Sequence, residues 1–219
     1  REHIADLIKT HALAHEDCAV IEKYLTSPCD SIDTKATVIN AAVANGMDVS
    51  LEFVVRNILP VAGNENTLSI LDAYCSKKLV DDDVFRILNF ACACKDSKTA
   101  VGALDCLKRG NQYVLVPSKT VIAMLSERDL TASDKISILD KLFEFKVEAK
   151  SVEAVMTNYL CFNQDPVATR KEVILYLLDK SPQLPTSTVQ NYVLKCAVDG
   201  NEKPAIVKAI FDKGLNTSF

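Results

Sequence analysis

Pairs of apolar residues recur along the chain at intervals close to 34 residues, and this spacing constrains the fold more than any other feature. One series lies 32 to 35 residues apart and consists of Val38-Ile39, Ile70-Leu71, Ala103-Leu104, Ile138-Leu139, Val173-Ile174 and Ile206-Val207. A second series lies between its members, 31 to 37 residues apart, and consists of Val20-Ile21, Val54-Val55, Ile87-Leu88, Met124-Leu125, Val155-Met156 and Tyr192-Val193. Two helices in each repeat of this length are typical of an α-solenoid. The sequence therefore predicts an all-α protein, an α-solenoid of antiparallel helical hairpins.

The segment YVLVPSKTVIAML, residues 113–125, tests this prediction because its first half has strong β propensity. It follows a helical pattern that stops at Gly110, and its second half opens the helix that carries Met124-Leu125. Pro117 blocks continuation of a helix from the preceding residues. An isolated strand would also lack a partner, since the chain has no second β pattern. We therefore predict that residues 113–117 are a joint between hairpins whose apolar residues pack between them.

Polar residues and glycines at the expected helix ends agree with this division. Asp33, Ser97, Ser133 and Asp165 are predicted to cap the second helices of their hairpins, because short polar side chains satisfy the first backbone N–H groups of a helix. Gly46, Gly110 and Gly214 fall where second helices are predicted to stop, as glycine at a helix C-terminus does.

Composition excludes several classes of protein. The net charge of −4 has both signs scattered along the chain, so there is no basic cluster of the kind that marks a nucleic-acid-binding protein. No apolar run approaches the length of a membrane span. The eight cysteines include no Cys-x-x-Cys pair, which predicts reduced structural thiols and a reducing compartment such as the cytosol or the mitochondrial matrix.

Catalytic and metal motifs are also missing from the sequence. All three histidines, His3, His11 and His15, lie at the N-terminus, and there is no glycine-rich phosphate loop and no Gly-x-Ser-x-Gly. His11 and His15 have the spacing of zinc ligands on a helix, but no Glu lies between them as a zinc protease requires. We therefore expect no enzyme, no metal site, no cofactor and no small-molecule substrate.

Several segments resemble the pentatricopeptide repeat, a helix pair of about 35 residues. YVLKCAVDGNEKPAIVKAIFDKGL (192–215) resembles the body of such a repeat, and DKGLNTS (212–218), YVLVPS (113–118) and SPQLPTS (181–187) resemble its closing turn. Tetratricopeptide and ankyrin repeats fit less well, because their Trp-containing and Thr-Pro-Leu-His motifs do not occur. The resemblance implies a right-handed superhelix that binds single-stranded RNA, a mitochondrial matrix location and a role in messenger RNA stability.

Within this family, side chains on the first helix and at the joint contact RNA, about one base per repeat. Residues five positions before the first-helix pairs include Lys119, Lys150 and Ser187, and Gln190 lies two positions before its pair. The resemblance makes Lys119 and Lys150 candidates for phosphate contacts, and Ser187 and Gln190 candidates for contacts with bases. The positions usually occupied by Asn, Ser or Thr hold Glu52, Phe85, Ile122 and Glu153, so a base-reading code is not visible. The alternative interpretation is an ordinary solvated helix face.

Two functions remain open. The first is a segment of an RNA-binding protein that maintains messenger RNA. The second is a protein–protein scaffold that holds a partner, such as an RNA-binding subunit, without touching RNA, and the acidic net charge favours it. We assign residues 1–15 to the second helix and joint of a preceding repeat, with Leu7-Ile8 as its apolar pair, and residues 16–219 to six hairpins. Because no capping helix is predicted at either end, we expect both ends to continue or to dock on a partner.

Overall fold

The computed structural model describes Ile4 and residues 18–145, 149–180, 186–195 and 200–213. These residues form twelve α-helices: α1 (Cys18–Thr26), α2 (Ile32–Ala44), α3 (Leu51–Asn57), α4 (Asn64–Cys75), α5 (Asp81–Ala93), α6 (Ser97–Arg109), α7 (Ser118–Leu125), α8 (Ala132–Phe143), α9 (Ala149–Phe162), α10 (Val167–Lys180), α11 (Thr186–Lys195) and α12 (Lys203–Asp212). Short 3₁₀ helices occupy Leu59–Val61 and Gly200–Glu202. No strand occurs in the described part of the chain, so the all-α prediction is confirmed.

Each apolar pair lies on its own helix, with the first-helix pairs on the odd-numbered helices and the second-helix pairs on the even-numbered ones. The predicted joint is also confirmed, because α6 ends at Arg109, residues 113–117 form no strand and α7 begins at Ser118. Val116 is completely buried in this joint, whereas Tyr113 and Leu115 are exposed. Only part of the apolar sequence therefore packs against the helices.

The chain divides into two compact units, residues 1–91 with 98–114 and residues 92–97 with 115–219. In the second unit, helices contact their nearest or second-nearest neighbours along the chain. The contacting pairs are α7 with α8, α7 with α9, α8 with α10, α9 with α10, α9 with α11, α10 with α12 and α11 with α12. In the first unit, α2 packs against α4. Helices that are two apart in the chain therefore lie side by side within each unit.

Polar bonds join side chains that are about one repeat apart. In the first unit, Asn66 donates to Asp33 at 2.7 Å, Arg86 to Glu52 at 3.0 Å and Arg109 to Asp72 at 2.6 Å. In the second unit, Tyr176 donates to Asp140 at 2.5 Å, and Lys213 donates to Asp179 at 2.6 Å. These pairs are separated by 33 to 37 residues, which matches the period of the sequence pattern.

Carbonyl groups at helix C-termini also accept hydrogen bonds from the following repeat. Lys77 donates to the carbonyl of Val43 near the end of α2. The amide of Gln112 donates to the Cys75 carbonyl at 3.4 Å, and that of Asn163 donates to the Leu125 carbonyl at 3.0 Å. The Val43 carbonyl also accepts from the Gly46 backbone N–H at 3.0 Å. The last carbonyls of a helix have no partner within the helix, and these side chains give them partners from the next repeat. They also fix each repeat against the next.

The apolar pairs form the cores of the two units. The first five second-helix pairs, from Val38-Ile39 to Val173-Ile174, are at most 1 % exposed. The pairs Ile87-Leu88, Met124-Leu125 and Val155-Met156 of the first helices are at most 2 % exposed. Burying an aliphatic side chain contributes roughly 1.5–3 kcal/mol. The repeating pairs therefore contribute a substantial part of the packing energy of each unit.

Three of the predicted helix caps are wrong in position. Ser31, not Asp33, caps α2, since its hydroxyl accepts from the Thr34 backbone N–H at 3.3 Å. Thr131, not Ser133, caps α8, in a reciprocal arrangement with Asp134. Ser97 is the first residue within α6.

The fourth cap prediction is wrong for a different reason. Asp165 lies two residues before α10, but its carboxylate accepts hydrogen bonds from Lys135 and Tyr159 and does not cap the helix. Asp165 lies near a helix start, as predicted, but its carboxylate is paired with the buried Lys135.

Two of the predicted terminal glycines can be assessed. Gly46 follows α2 with a φ of 77°, as expected for a glycine that ends a helix. After α6 the residue with positive φ is Asn111, at 52°. Gly110 has another role, because a Cβ there would lie 2.2 Å from the carbonyl oxygen of Cys75. The third glycine, Gly214, and the predicted helix at Leu7-Ile8 lie outside the described residues. No described helix has the length and hydropathy that crossing a membrane requires.

Candidate ligand-binding surfaces of the first helices

Three of the four predicted contact residues occupy the same place on successive first helices of the second unit. Lys119, Lys150 and Ser187 are each the second residue of their helices, α7, α9 and α11. Lys119 and Ser187 are exposed, and the side chain of Lys150 lies outside the described part of the structure. Because α7 contacts α9 and α9 contacts α11, the three positions follow one another across neighbouring helices. We call these three positions the N-terminal row.

Gln190 lies one turn further along α11 and is also exposed. Thr188, between Ser187 and Gln190, is buried, and its hydroxyl lies 2.9 Å from that of Thr157 on α9. This contact holds the start of α11 against α9, so Ser187 and Gln190 are presented from a fixed helix. Their amide and hydroxyl groups can both donate and accept hydrogen bonds.

The equivalent positions of the first unit have different chemistry. Val49 precedes α3 and is buried, and Asp82, the second residue of α5, is exposed. Glu52 is bonded to Arg86 at 3.0 Å and to Arg56 at 3.3 Å. Position 82 has a carboxylate, whereas the equivalent positions of α7 and α9 have the lysines Lys119 and Lys150. The N-terminal row is therefore confined to the second unit.

A second feature lies at the C-terminal ends of α7 and α9, in the turns that connect α7 to α8 and α9 to α10. A cleft of about 210 Å³ is lined there by Ser126, Arg128, Phe162, Asn163, Gln164 and Asp165. The side chain of Phe162 is 74 % exposed. The guanidinium group of Arg128 donates to the amide oxygen of Gln164 across the cleft. We call this feature the turn cleft.

Buried ionic and polar groups contact Asp165, one of the residues that line the turn cleft. Lys135 is fully buried on α8, and its ammonium group donates to the carboxylate of Asp165 and to the Leu125 carbonyl at 2.8 Å. The Tyr159 hydroxyl donates to the same carboxylate oxygen at 2.5 Å. Burial and this carboxylate raise the pKa of Tyr159 far above its usual value, so its proton stays in place at neutral pH. The group is structural in its contacts and fixes the turn beside the cleft.

Sequence reasoning did not identify this buried group. Asp165 was interpreted as a helix cap, and Lys135 falls among the polar residues of α8. One signal was present in the sequence, since NQDP (163–166) places three polar residues directly between two helical patterns. The more distant partners of those residues are 30 to 38 positions away, as Lys135 is from Asp165 and Leu125 is from Asn163, and no local pattern identifies them.

The cysteines have the environment of structural thiols. Seven of the eight are described, and none of the seven forms a disulfide bond, while Cys196 lies outside the described residues. Burial raises the pKa of Cys75 and of Cys92 to about 12 and that of Cys94 to about 11, which keeps them protonated and unreactive at neutral pH. The searched residues contain no group of three His, Cys, Asp or Glu side chains placed to hold a metal ion. His11 and His15 lie outside those residues.

Comparison with known proteins gives no family assignment. No protein-family model, no curated protein and no solved structure matches this chain.

Proposed function

We propose that this chain is an α-solenoid segment of a pentatricopeptide-like protein that binds single-stranded RNA through the N-terminal row. The solenoid arrangement is supported by the contacts between helices two apart in the chain and by the polar bonds between residues 33 to 37 positions apart. A right-handed superhelix, a mitochondrial matrix location and a role in messenger RNA stability follow from the family resemblance and form part of this proposal.

One observation carries the RNA proposal. Lys119, Lys150 and Ser187 share one register on three successive helices, so two cationic residues and a hydrogen-bonding residue follow one another at the spacing of packed helices, about 8–10 Å. Gln190 adds an amide one turn away. Regularly spaced cations that track a phosphate backbone, combined with polar groups that reach bases, are the usual means of binding single strands. The chain acts by binding and performs no chemistry.

A salt titration tests the proposal. Binding of a short fluorescent single-stranded RNA is measured by anisotropy between about 50 and 200 mM salt, where each phosphate contact contributes about −0.7 to the slope of log K against log salt. We expect Lys119→Ala and Lys150→Ala each to weaken binding and to reduce the slope by about 0.7. Lys171→Ala is the matched control, because Lys171 is exposed on the second helix α10 and carries the same charge. Absence of RNA binding at the lowest salt would refute the proposal.

A second candidate function is a scaffold for a protein partner, and a specific observation favours it. Leu194 on α11 is 79 % exposed and Val193 beside it is 44 % exposed, in a chain whose net charge is −4. Apolar side chains exposed together often mark a protein contact. If the chain binds no RNA, Leu194→Ser should weaken capture of a partner protein from the same cellular compartment while Lys119→Ala leaves it unchanged.

A further inference from the structure

We propose that the turn cleft binds a nucleobase of a single-stranded ligand, with the base stacked on Phe162. The cleft is separate from the N-terminal row. Phe162 is the last residue of α9 and Lys150 is the second, and a helix of 14 residues spans about 20 Å at 1.5 Å per residue. The two features therefore lie at opposite ends of the first helices.

The exposed ring is the first observation. Phe162 ends α9 with 74 % of its surface exposed, while Tyr159 and Leu160 on the preceding turn are buried. Its ring therefore contributes little to the core and presents a π face beside a polar cleft. Stacking of a base on such a ring contributes about 1–3 kcal/mol and tolerates any base, because every base has a π face.

The polar groups around the ring are held in place. Asn163 donates to the Leu125 carbonyl at 3.0 Å and accepts from the Asp165 backbone N–H at 2.6 Å, so the turn is fixed by its own bonds. Asp165 is in turn paired with the buried Lys135. A turn held in this way loses little conformational entropy when a ligand binds.

Two side chains remain to recognise the ligand. Gln164 is exposed, and its amide can both donate to and accept from the edge of a base. Arg128, which contacts Gln164, carries a guanidinium group suited to a phosphate. Its acidic neighbour Asp129 is paired with Lys95 at 2.8 Å, and Glu127 on its other side is half-buried. Among the charged residues that line the cleft, Asp165 is neutralised by Lys135, so Arg128 supplies the remaining charge.

These groups favour a nucleobase over a peptide. The core of a protein interface is apolar, whereas Phe162 is the single apolar residue among the six that line the cleft. In proteins that bind single-stranded RNA, unstacked bases stack on aromatic rings or guanidinium groups, and polar side chains form hydrogen bonds with their edges. The turn cleft has one ring, one amide and one guanidinium group for these contacts. If the ligand is RNA, the inference rests on the proposed function. If the ligand is a free nucleotide, the inference does not depend on it.

The chain contains no tryptophan, so Phe162→Trp places a single fluorescent reporter at the ring. We expect saturable quenching of this tryptophan by single-stranded RNA and, at higher concentration, by each of the four free ribonucleoside monophosphates. Arg128→Ala in the same background should weaken the quenching titration for nucleotides more than for nucleosides. In the chain without the reporter, Phe162→Ala should weaken RNA binding by about 5- to 150-fold, the equivalent of one stacked base. Circular dichroism checks that each variant keeps its helices.

Leu194→Trp is the matched control, because it also places one tryptophan at an exposed apolar position, on α11. This reporter should show only the weak linear quenching of random collisions. Quenching at Phe162→Trp that is no stronger than at the control, while RNA still binds in the salt titration, would overturn the cleft proposal and leave the proposed function intact. Saturable quenching by nucleotides without RNA binding in that titration would support the cleft and refute the proposed function. A response to a protein partner alone would also overturn the cleft proposal.

Discussion

Lys135 and Asp165 show how a single buried ion pair can organise the ends of several helices. Lys135 on α8 donates to the carboxylate of Asp165, which lies in the turn before α10. Tyr159 on α9 donates to the same carboxylate, and the Leu125 carbonyl at the end of α7 accepts from the ammonium group of Lys135. A buried pair costs desolvation energy on both sides, so its stabilising value depends on the extra bonds. Here each charge has at least two partners, which makes removal of one charge more costly than removal of both.

We expect Lys135→Met to lower the free energy of unfolding by about 3–5 kcal/mol, because it leaves the Asp165 carboxylate buried without its cation. The double variant Lys135→Met with Asp165→Leu should recover most of that loss, since it removes both charges. Urea unfolding followed by circular dichroism measures the difference. Lys141→Met on the same helix is the control, because Lys141 is only half-buried, and it should change stability by less than about 0.5 kcal/mol. Equal losses in the single and double variants would contradict the argument.

Helices were predictable from the sequence because their signal is repeated, whereas their exact starts were not. Ser31 and Asp33 are both residue types that cap helices. The helix begins after Ser31, and the local sequence pattern does not show which of the two is the cap. The joint at 113–117 was predicted because Gly110 and Pro117 bound it. The residues of the N-terminal row were selected through the family resemblance, and their common register follows from the sequence, since Lys119, Lys150 and Ser187 precede their apolar pairs by the same number of residues. The turn cleft was not predicted, because residues from two separate turns form it.

The burial of a second-helix pair predicts how strongly a charge at that position destabilises the protein. Leu139 on α8 is completely buried, and Val207 occupies the same position of its pair on α12 but is half-buried. Leu139→Asp should therefore destabilise the second unit by about 4 kcal/mol or more, because a charge enters the core without a partner. Val207→Asp should cost distinctly less. Thermal unfolding of the two variants measures this, and equal melting temperatures would contradict the argument that the cost of a charge follows the burial of its position.

Among the first-helix pairs, the exposed residues lie in the first and last described repeats. On the first helices, the first residue of each pair is buried except Val20, which is 58 % exposed. The second residue is buried in the pairs of α1, α5, α7 and α9, but Val55 of α3 is half-buried and Val193 of α11 is 44 % exposed. We refer to Val193 and Leu194 of α11 and Val207 of α12, which are exposed or half-buried, as the apolar face.

A further hairpin should cover this face. We expect a chain extended by a second copy of residues 181–213 to melt at a higher temperature, because the added helices bury Val193, Leu194 and Val207, and full burial of one aliphatic side chain contributes roughly 1.5–3 kcal/mol. The control carries the same extension with Asp at the copied positions of Tyr192 and Ile206, so that it has equal length but cannot pack. Thermal unfolding by circular dichroism compares the two. The reactivity of a Leu194→Cys thiol provides a local measurement, since it should fall in the packed extension and stay high in the control. Equal melting temperatures together with equal thiol reactivity would show that the apolar face does not receive a hairpin of this repeat type.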